Sequence, residues 1–256
     1  MGIESTFNLS GRKALVTGSS RGIGAAIALG LAEQGADVIV HCAQNIDQAR
    51  QIAQKAAAFG VQARAVQVDL ATENASVQLF RAASDTLGWI DILVLNASVQ
   101  IPRSWQAISR SDFDLQVTVN FRTSVELMQL ALPTMKERRW GRVVTIGSIQ
   151  QVRPHPDMLV YAACKCAQLG TVQNLARQLA CHGVTINNVA PGVIDTDRNT
   201  EALTNPTYRQ RVLVKIPAGY VGEPQDCVGA VLLLCSAAGR YITGLDLFVD
   251  GGMHLG

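Results

Sequence analysis

Short β-branched runs alternate with longer helical patterns along the chain. The runs are KALVT at 13–17, DVIVH at 37–41, ARAVQV at 63–68, DILVL at 91–95, RVVTI at 142–146, VTINNV at 184–189 and LDLFV at 245–249. Between them, 23–33, 46–59, 76–87, 113–135, 159–180 and 225–237 carry apolar residues at three-to-four spacing, as helices covering a sheet must. Seven such strands separated by helices indicate a parallel sheet covered on both faces. Right-handed crossovers then wind the chain in both directions from the sheet centre. The pattern predicts a single α/β domain over 1–256, a doubly wound, seven-stranded parallel sheet with helices on both faces. The stretch 192–224 departs from it, being polar and interrupted by Pro206 and Pro217. It reads as a substrate loop or lid.

Composition supports one large core and removes several classes of function. Of 256 residues, 48% are hydrophobic and 16% charged, enough apolar content for one sizeable domain. The 22 basic and 20 acidic side chains are scattered, so the net charge of +2 forms no stripe suited to nucleic acid. No apolar run reaches the roughly 18 residues of a membrane span, and the opening MGIESTFNLSGRK has no signal core. A soluble, cytoplasmic protein is expected. Cysteines at 42, 164, 166, 181, 227 and 235 show no disulfide or metal spacing. Cys164 and Cys166 flank Lys165, but two residues apart on a helix project about 200° from each other, which makes them packing residues and leaves no metal site.

Directly after the first run comes TGSSRGIG at 17–24, opening a helix. Gly18, Gly22 and Gly24 let the chain turn tightly and let backbone amides approach a pyrophosphate at the helix N-terminus. Ser20, Arg21 and Ile23 complete this loop. Its Gly-x-x-x-Gly-x-Gly spacing differs from the usual Rossmann fingerprint, and no Gly-Lys-Ser/Thr follows as in a Walker loop. The fold is therefore Rossmann-like, with a dinucleotide as ligand. At the end of the second strand, where an NAD site offers a carboxylate to the ribose, the chain has His41 and Cys42. Arg21 is placed to meet a 2′-phosphate instead. NADP(H) is favoured, with NAD(H) as the alternative.

These residues resemble the short-chain dehydrogenase/reductase family over nearly the whole chain. TGSSRGIG is similar to its cofactor loop, VDL with Asp69 and Leu70 to its adenine contact, and LNAS at 95–98, with Asn96 and Ala97, to its Asn-Asn-Ala-Gly segment. PGVID, with Pro191, Gly192 and Ile194, followed by Thr196, resembles the segment beside the nicotinamide. Asn120, Ser148, Tyr161 and Lys165 match its catalytic tetrad in order and spacing. Leu95 and Ser98 depart from the family pattern, which touches loop geometry and no catalytic group.

The resemblance implies ketone–alcohol interconversion by hydride transfer. Tyrosine has an ordinary pKa near 10, and Lys165, one helical turn on, favours its phenolate. By resemblance Tyr161 exchanges the proton, Lys165 supports it and the nicotinamide ribose, Ser148 meets the reacting oxygen, and Asn120 holds a relaying water. Taken alone, Asn120 reads as a helix-interior polar residue bonded to local backbone.

Gln100, Arg103, Trp105, Gln150, Arg153, His155 and part of 197–215 are the substrate-pocket candidates, for a small carbonyl or alcohol. Arg103, Arg153 and His155 form either an anion-accepting pocket or solvated loop charges. Arg139 and Arg177 resemble the carrier-protein contact of 3-oxoacyl-(acyl-carrier-protein) reductases, so an acyl carrier protein is a candidate partner. Sugar, polyol or sugar-acid dehydrogenation is the alternative chemistry. A catalytically silent, cofactor-sensing regulator is the non-enzyme alternative, disfavoured by the intact Ser148, Tyr161 and Lys165. The resemblance also implies a homotetramer.

Overall fold

The computed structural model describes residues 2–256. In chain order its elements are α1 (Ile3–Phe7), β1 (Lys13–Val16), α2 (Gly22–Glu33), β2 (Asp37–Cys42), α3 (Ile46–Ala57), β3 (Ala63–Gln67), α4 (Ala75–Leu87), β4 (Ile92–Leu95), α5 (Arg110–Val117), α6 (Thr123–Glu137), β5 (Gly141–Ile146), α7 (Leu159–Leu179), β6 (Val184–Pro191), α8 (Asp197–Leu203), α9 (Pro206–Leu213), α10 (Asp226–Cys235) and β7 (Asp246–Val249). All strand pairs are parallel, in the order β3-β2-β1-β4-β5-β6-β7. The chain winds outward from β1 to β3, then returns to β4 on the other side of β1. The gap above the carboxyl ends of β1 and β4 is thus the switch point where open α/β sheets bind ligands.

Strand periodicity divides the apolar residues between two cores. Ala14 and Val16 of β1, Val38 and Val40 of β2, and Ile92 and Val94 of β4 face α2, α3 and α10. Leu15, Ile39, Leu93 and Leu95 face the opposite way, against α4, α6 and α7. The central strands β1, β2 and β4 therefore need no polar face, whereas the edge strand β3 exposes Arg64 and Gln67. That explains the unbroken apolar cores of runs such as ALV at 14–16 and ILVL at 92–95.

One helix expected from the sequence is in fact two. The stretch 113–135 is divided by a π turn, Thr118–Arg122, between α5 and α6. The Thr123 hydroxyl donates to the carbonyls of Thr118 (2.9 Å) and Val119 (2.8 Å), and the Thr123 amide reaches back five residues to Thr118. Side-chain competition for backbone acceptors is a recognised cause of such a widened turn. Periodicity could not show it, because the apolar spacing continues across the break. The 192–224 stretch carries α8 and α9.

Leu93 is fully buried in the core beneath α4, α6 and α7. Leu93→Ala is expected to lower the unfolding free energy by about 2–5 kcal/mol, cavity included. Urea denaturation of both proteins measures it.

Candidate active site

The glycine loop is clamped from both sides of the switch point. Thr17 Oγ1 accepts from the amides of Asn96 (2.9 Å) and Ala97 (3.0 Å), beyond β4. Asn96 Nδ2 donates to the carbonyls of Thr17 and Gly18, each at 2.9 Å. Gly18 and Gly22 have φ of +63° and +55°, which favours glycine over any other residue. A Cβ on Gly24 would stand 2.4 Å from Asn96 Nδ2 and from the Gly18 carbonyl oxygen.

His41, at the end of β2, secures the other side. Its Nδ1 accepts from the Gly18 amide (2.9 Å) and its Nε2 donates to the Val68 carbonyl (2.8 Å). Both bonds together require the neutral ring with its proton on Nε2. Ser19 Oγ joins in, accepting from the His41 amide (2.9 Å) and donating to the Val16 carbonyl (2.6 Å). His41 is 1% exposed. Burial lowers its pKa from 6.5 to about 4, against smaller opposing effects of the Val68 bond and the Asp69 charge.

The first turn of α2 has no side-chain cap, so its leading amides and helix dipole face the crevice. With Gly18 and Gly24 leaving no room for side chains, this cradle fits a pyrophosphate. The other expected cofactor residues lie around it. Pro191 ends β6, Ile194 is buried, and Thr196 brings its methyl 3.3 Å from where a Gly22 Cβ would be. Ser20 and Ile23 are half-buried within the loop, Gly192 is half-buried beyond β6, and Ala97 follows Asn96. Asp69 is exposed after β3, whereas the Leu70 side chain is buried in the core below α4 and can offer only backbone. Arg21 is exposed, with Nη1 3.6 Å from Asp197 of α8.

The tetrad candidates converge on the same edge of the sheet. Ser148 stands two residues beyond β5 and caps a short 3-10 turn, Ile149–Gln151: its Oγ accepts from the Gln150 amide (3.2 Å), while its own amide donates to Gln151 Oε1 (2.9 Å). Gln151 is held in turn, its Nε2 donating to Asp246 Oδ2 (3.1 Å) and its Oε1 accepting from Asn188 Nδ2 (3.2 Å). Asn120 lies in the π turn, fully buried, exchanging 2.8 Å hydrogen bonds with both the amide and the carbonyl of Val99. Its side chain therefore pins the loop after β4, and the local-backbone reading is corrected: the backbone partner, Val99, lies 21 residues away on another segment. Tyr161, in the first turn of α7, is buried, and Lys165 Nζ lies 5.5 Å from its ring centroid. The ammonium donates to the Ile146 carbonyl (2.7 Å) and to Gln168 Oε1 (3.0 Å).

The thiols beside Lys165 point elsewhere. Cys164 is buried with its Sγ 3.8 Å from the Gln116 carbonyl, and burial pushes its thiol pKa up; Cys166 is exposed, with Sγ 3.5 Å from the Gln151 carbonyl. Among the described residues no His, Cys, Asp and Glu side chains cluster as a metal site. None of their helices is long and apolar enough to cross a membrane.

The expected substrate cations each have a partner of their own. Arg103 Nε donates to Asp112 (3.2 Å), Arg153 Nη1 to the Met253 carbonyl near the C-terminus (2.6 Å), and His155 Nδ1 accepts the Asp157 amide (3.2 Å). They do not pool into one anion pocket, because sequence proximity to a site says nothing about where a long side chain finds its acceptor. Gln150 Oε1 accepts the His155 amide (2.6 Å), Gln100 is half-buried, and Trp105 is 68% exposed. Arg139 Nη2 is tied to the Cys181 carbonyl (3.0 Å), joining the ends of α6 and α7, while Arg177 is exposed on α7. Sequence reading missed Gln151, Asn188 and Gln168 entirely. For Gln168 a signal existed: a polar residue three after Lys165, on the buried side of its helix.

Two outcomes follow from the loop geometry. Gly24→Ala, which places a methyl against Asn96 and Gly18, is expected to weaken nicotinamide-cofactor binding at least about tenfold, or ~1.4 kcal/mol, read by fluorescence titration. For His41, the unfolded chain binds a proton between pH 6.5 and 4 that the folded chain refuses. Its contribution is therefore complete above pH 6.5 and declines as pH falls, levelling off below about 4, for a total of about 3 kcal/mol. Urea denaturation across that range, wild type against His41→Asn, should show the variant's pH dependence flattened by that amount.

Comparison with known proteins agrees with this geometry. A family model described as enoyl-(acyl carrier protein) reductase matches residues 18–254. The 3-oxoacyl-(acyl-carrier-protein) reductase of Vibrio cholerae is 36% identical over 249 residues, covering 97% of this chain and 99% of the relative. A crystal structure of a 3-oxoacyl (acyl-carrier-protein) reductase from Agrobacterium tumefaciens C58 with NADP bound superposes with a TM-score of 0.93 at 42% identity, covering 98% of this chain and 97% of that one. A gluconate 5-dehydrogenase from Burkholderia cenocepacia, in complex with NADP and tartrate, gives 0.92 at 30% identity over the full length of both chains. Further similar structures also hold NADP, and NADP(H) is the favoured cofactor. The chain belongs to the short-chain dehydrogenase/reductase family and is an oxidoreductase of carbonyl and hydroxyl groups.

Proposed function

We propose that this chain reduces the 3-oxo group of an acyl thioester with NADPH, through Tyr161, Lys165, Ser148 and Asn120. The observation that carries the residue assignment is that Lys165, beside the Tyr161 ring, donates to the Ile146 carbonyl two residues before Ser148, while Asn120 pins Val99, three residues beyond the Asn96 that clamps the glycine loop. The bound nicotinamide supplies the hydride. Tyr161 gives its phenolic proton to the alkoxide oxygen as it forms, and the Ser148 hydroxyl donates a hydrogen bond to that oxygen. Lys165, cationic and buried one turn on, stabilises the negative charge left on the tyrosine. Arg21, whose exposed pairing with Asp197 is loose at 3.6 Å, would hold the 2′-phosphate of the cofactor. The 192–224 segment, which lays Thr196 against Gly22, acts as the substrate loop.

An acyl chain suits the rim of the site better than a polyol does. Trp105 after β4, Val152 after the turn that Ser148 caps and Leu159 at the start of α7 are exposed, while Arg103 and Arg153 are already engaged. The relatives named above support a thioester substrate as well as a sugar acid, so the test sets the two against each other. NADPH oxidation with a 3-oxoacyl thioester is expected to exceed that with 5-keto sugar acids in kcat/KM; the reverse order would establish the sugar-acid chemistry. Tyr161→Phe should lower kcat by roughly 10²–10⁴ with cofactor affinity preserved. Unchanged turnover in that variant would refute the assignment. Arg21→Ala should raise KM for NADPH about tenfold, or ~1.4 kcal/mol, and leave KM for NADH unaltered.

A further inference from the structure

A buried hydrogen-bonded chain runs away from Lys165 on the side opposite its bond to β5. Gln168 Oε1 accepts from the ammonium at 3.0 Å, Gln168 Nε2 donates to Ser124 Oγ at 2.8 Å, and Ser124 Oγ approaches the Asn120 carbonyl at 3.5 Å. Lys165 and Gln168 are each 1% exposed, Ser124 5%, and Asn120 fully buried. An ammonium has donors and no acceptor, so the amide of Gln168 must turn its oxygen toward Lys165 and its nitrogen toward Ser124. The whole chain then has one polarity. It starts at the cation and ends on the π turn that carries Asn120.

We propose that Gln168 is a positioning residue for Lys165, keeping it charged and in place beneath Tyr161. An ammonium removed from water is costly unless acceptors replace its hydration. Ile146 supplies one acceptor from the sheet, fixed by strand geometry. Gln168 supplies another from the same helix as Lys165, at the i+3 position where two side chains meet, and Ser124 of α6 holds the amide's far end. The cation is thereby triangulated among β5, α7 and α6, and its support for charge on Tyr161 depends on that placement. Leucine at 168 would remove this acceptor from Lys165 and the Gln168 donor from Ser124. Glutamate would keep an acceptor but oppose negative charge on Tyr161.

The functional half of this proposal rests on the roles of Tyr161 and Lys165 proposed above; the structural half does not. In Gln168→Leu, kcat for alcohol oxidation should fall about tenfold with substrate KM changed less than about threefold, and the acid limb of the kcat–pH profile should move up by about one pH unit. Gln168→Glu should move the same limb upward. A merely structural role would reduce thermal stability in both and leave the limb in place, which would overturn the proposal. The second readout needs no activity. With lysines labelled with ¹⁵N in the cofactor-free protein, the Lys165 ammonium resonance, assigned by its loss in Lys165→Met, should be protected from exchange in wild type and lost in Gln168→Leu. Equal protection in both would refute the positioning role. If Tyr161→Phe retained turnover, the catalytic assignment would fall, and the ammonium resonance would still decide whether Gln168 holds Lys165.

Discussion

Thr17 and Asn96 meet across the ends of β1 and β4, and the four hydrogen bonds that join them and their neighbours Gly18 and Ala97 close the place where the sheet order reverses. A doubly wound sheet necessarily leaves a crevice there. What it does not guarantee is a crevice of fixed shape. Asn96 fixes it by occupying the space that any side chain at position 24 would need, so α2 starts close enough to point its free amides at an anion. His41 completes the arrangement from β2, and its neutral ring is a requirement, since a protonated Nδ1 would face the Gly18 N–H with no lone pair to offer.

The same economy of backbone capture recurs around the tetrad candidates. Asn120 grips Val99, Gln151 grips the Ser148 amide, and Lys165 grips the Ile146 carbonyl. Asn120 and Lys165 are thus tied to a neighbouring element's main chain, while Gln151 closes the turn that Ser148 caps. Behind them, Asp246 of β7 receives both Gln151 and Asn188 (2.6 Å from its Oδ1), so Ser148 is registered against the last strand of the sheet. The polar groups buried in this region are connected to one another, and that connection is what makes their burial tolerable.

Some of this was readable in one dimension. The seven strands, their parallel pairing, the glycine loop and the Tyr161–Lys165 spacing all follow from local periodicity, because a residue's face on a helix or strand depends only on its position. The π turn was not readable, since the apolar spacing of 113–135 continues across it while Thr123 redirects the hydrogen bonds. Nor were the partners of Arg103, Arg139 and Arg153, which depend on which carboxylate or carbonyl folding brings within reach.

By itself, then, the sequence determined the architecture and the ligand class, since these depend on short-range pattern and on the chemistry of single side chains, while the tetrad candidates came from resemblance to a family. Tertiary structure decided how those residues are held: His41 turned inward to the loop, Gln151 braced on β7, Gln168 joined to both Lys165 and Ser124. Each of these contacts joins groups on separate elements, or fixes which end of an amide meets which neighbour. Linear spacing carries no information about either until the elements have packed.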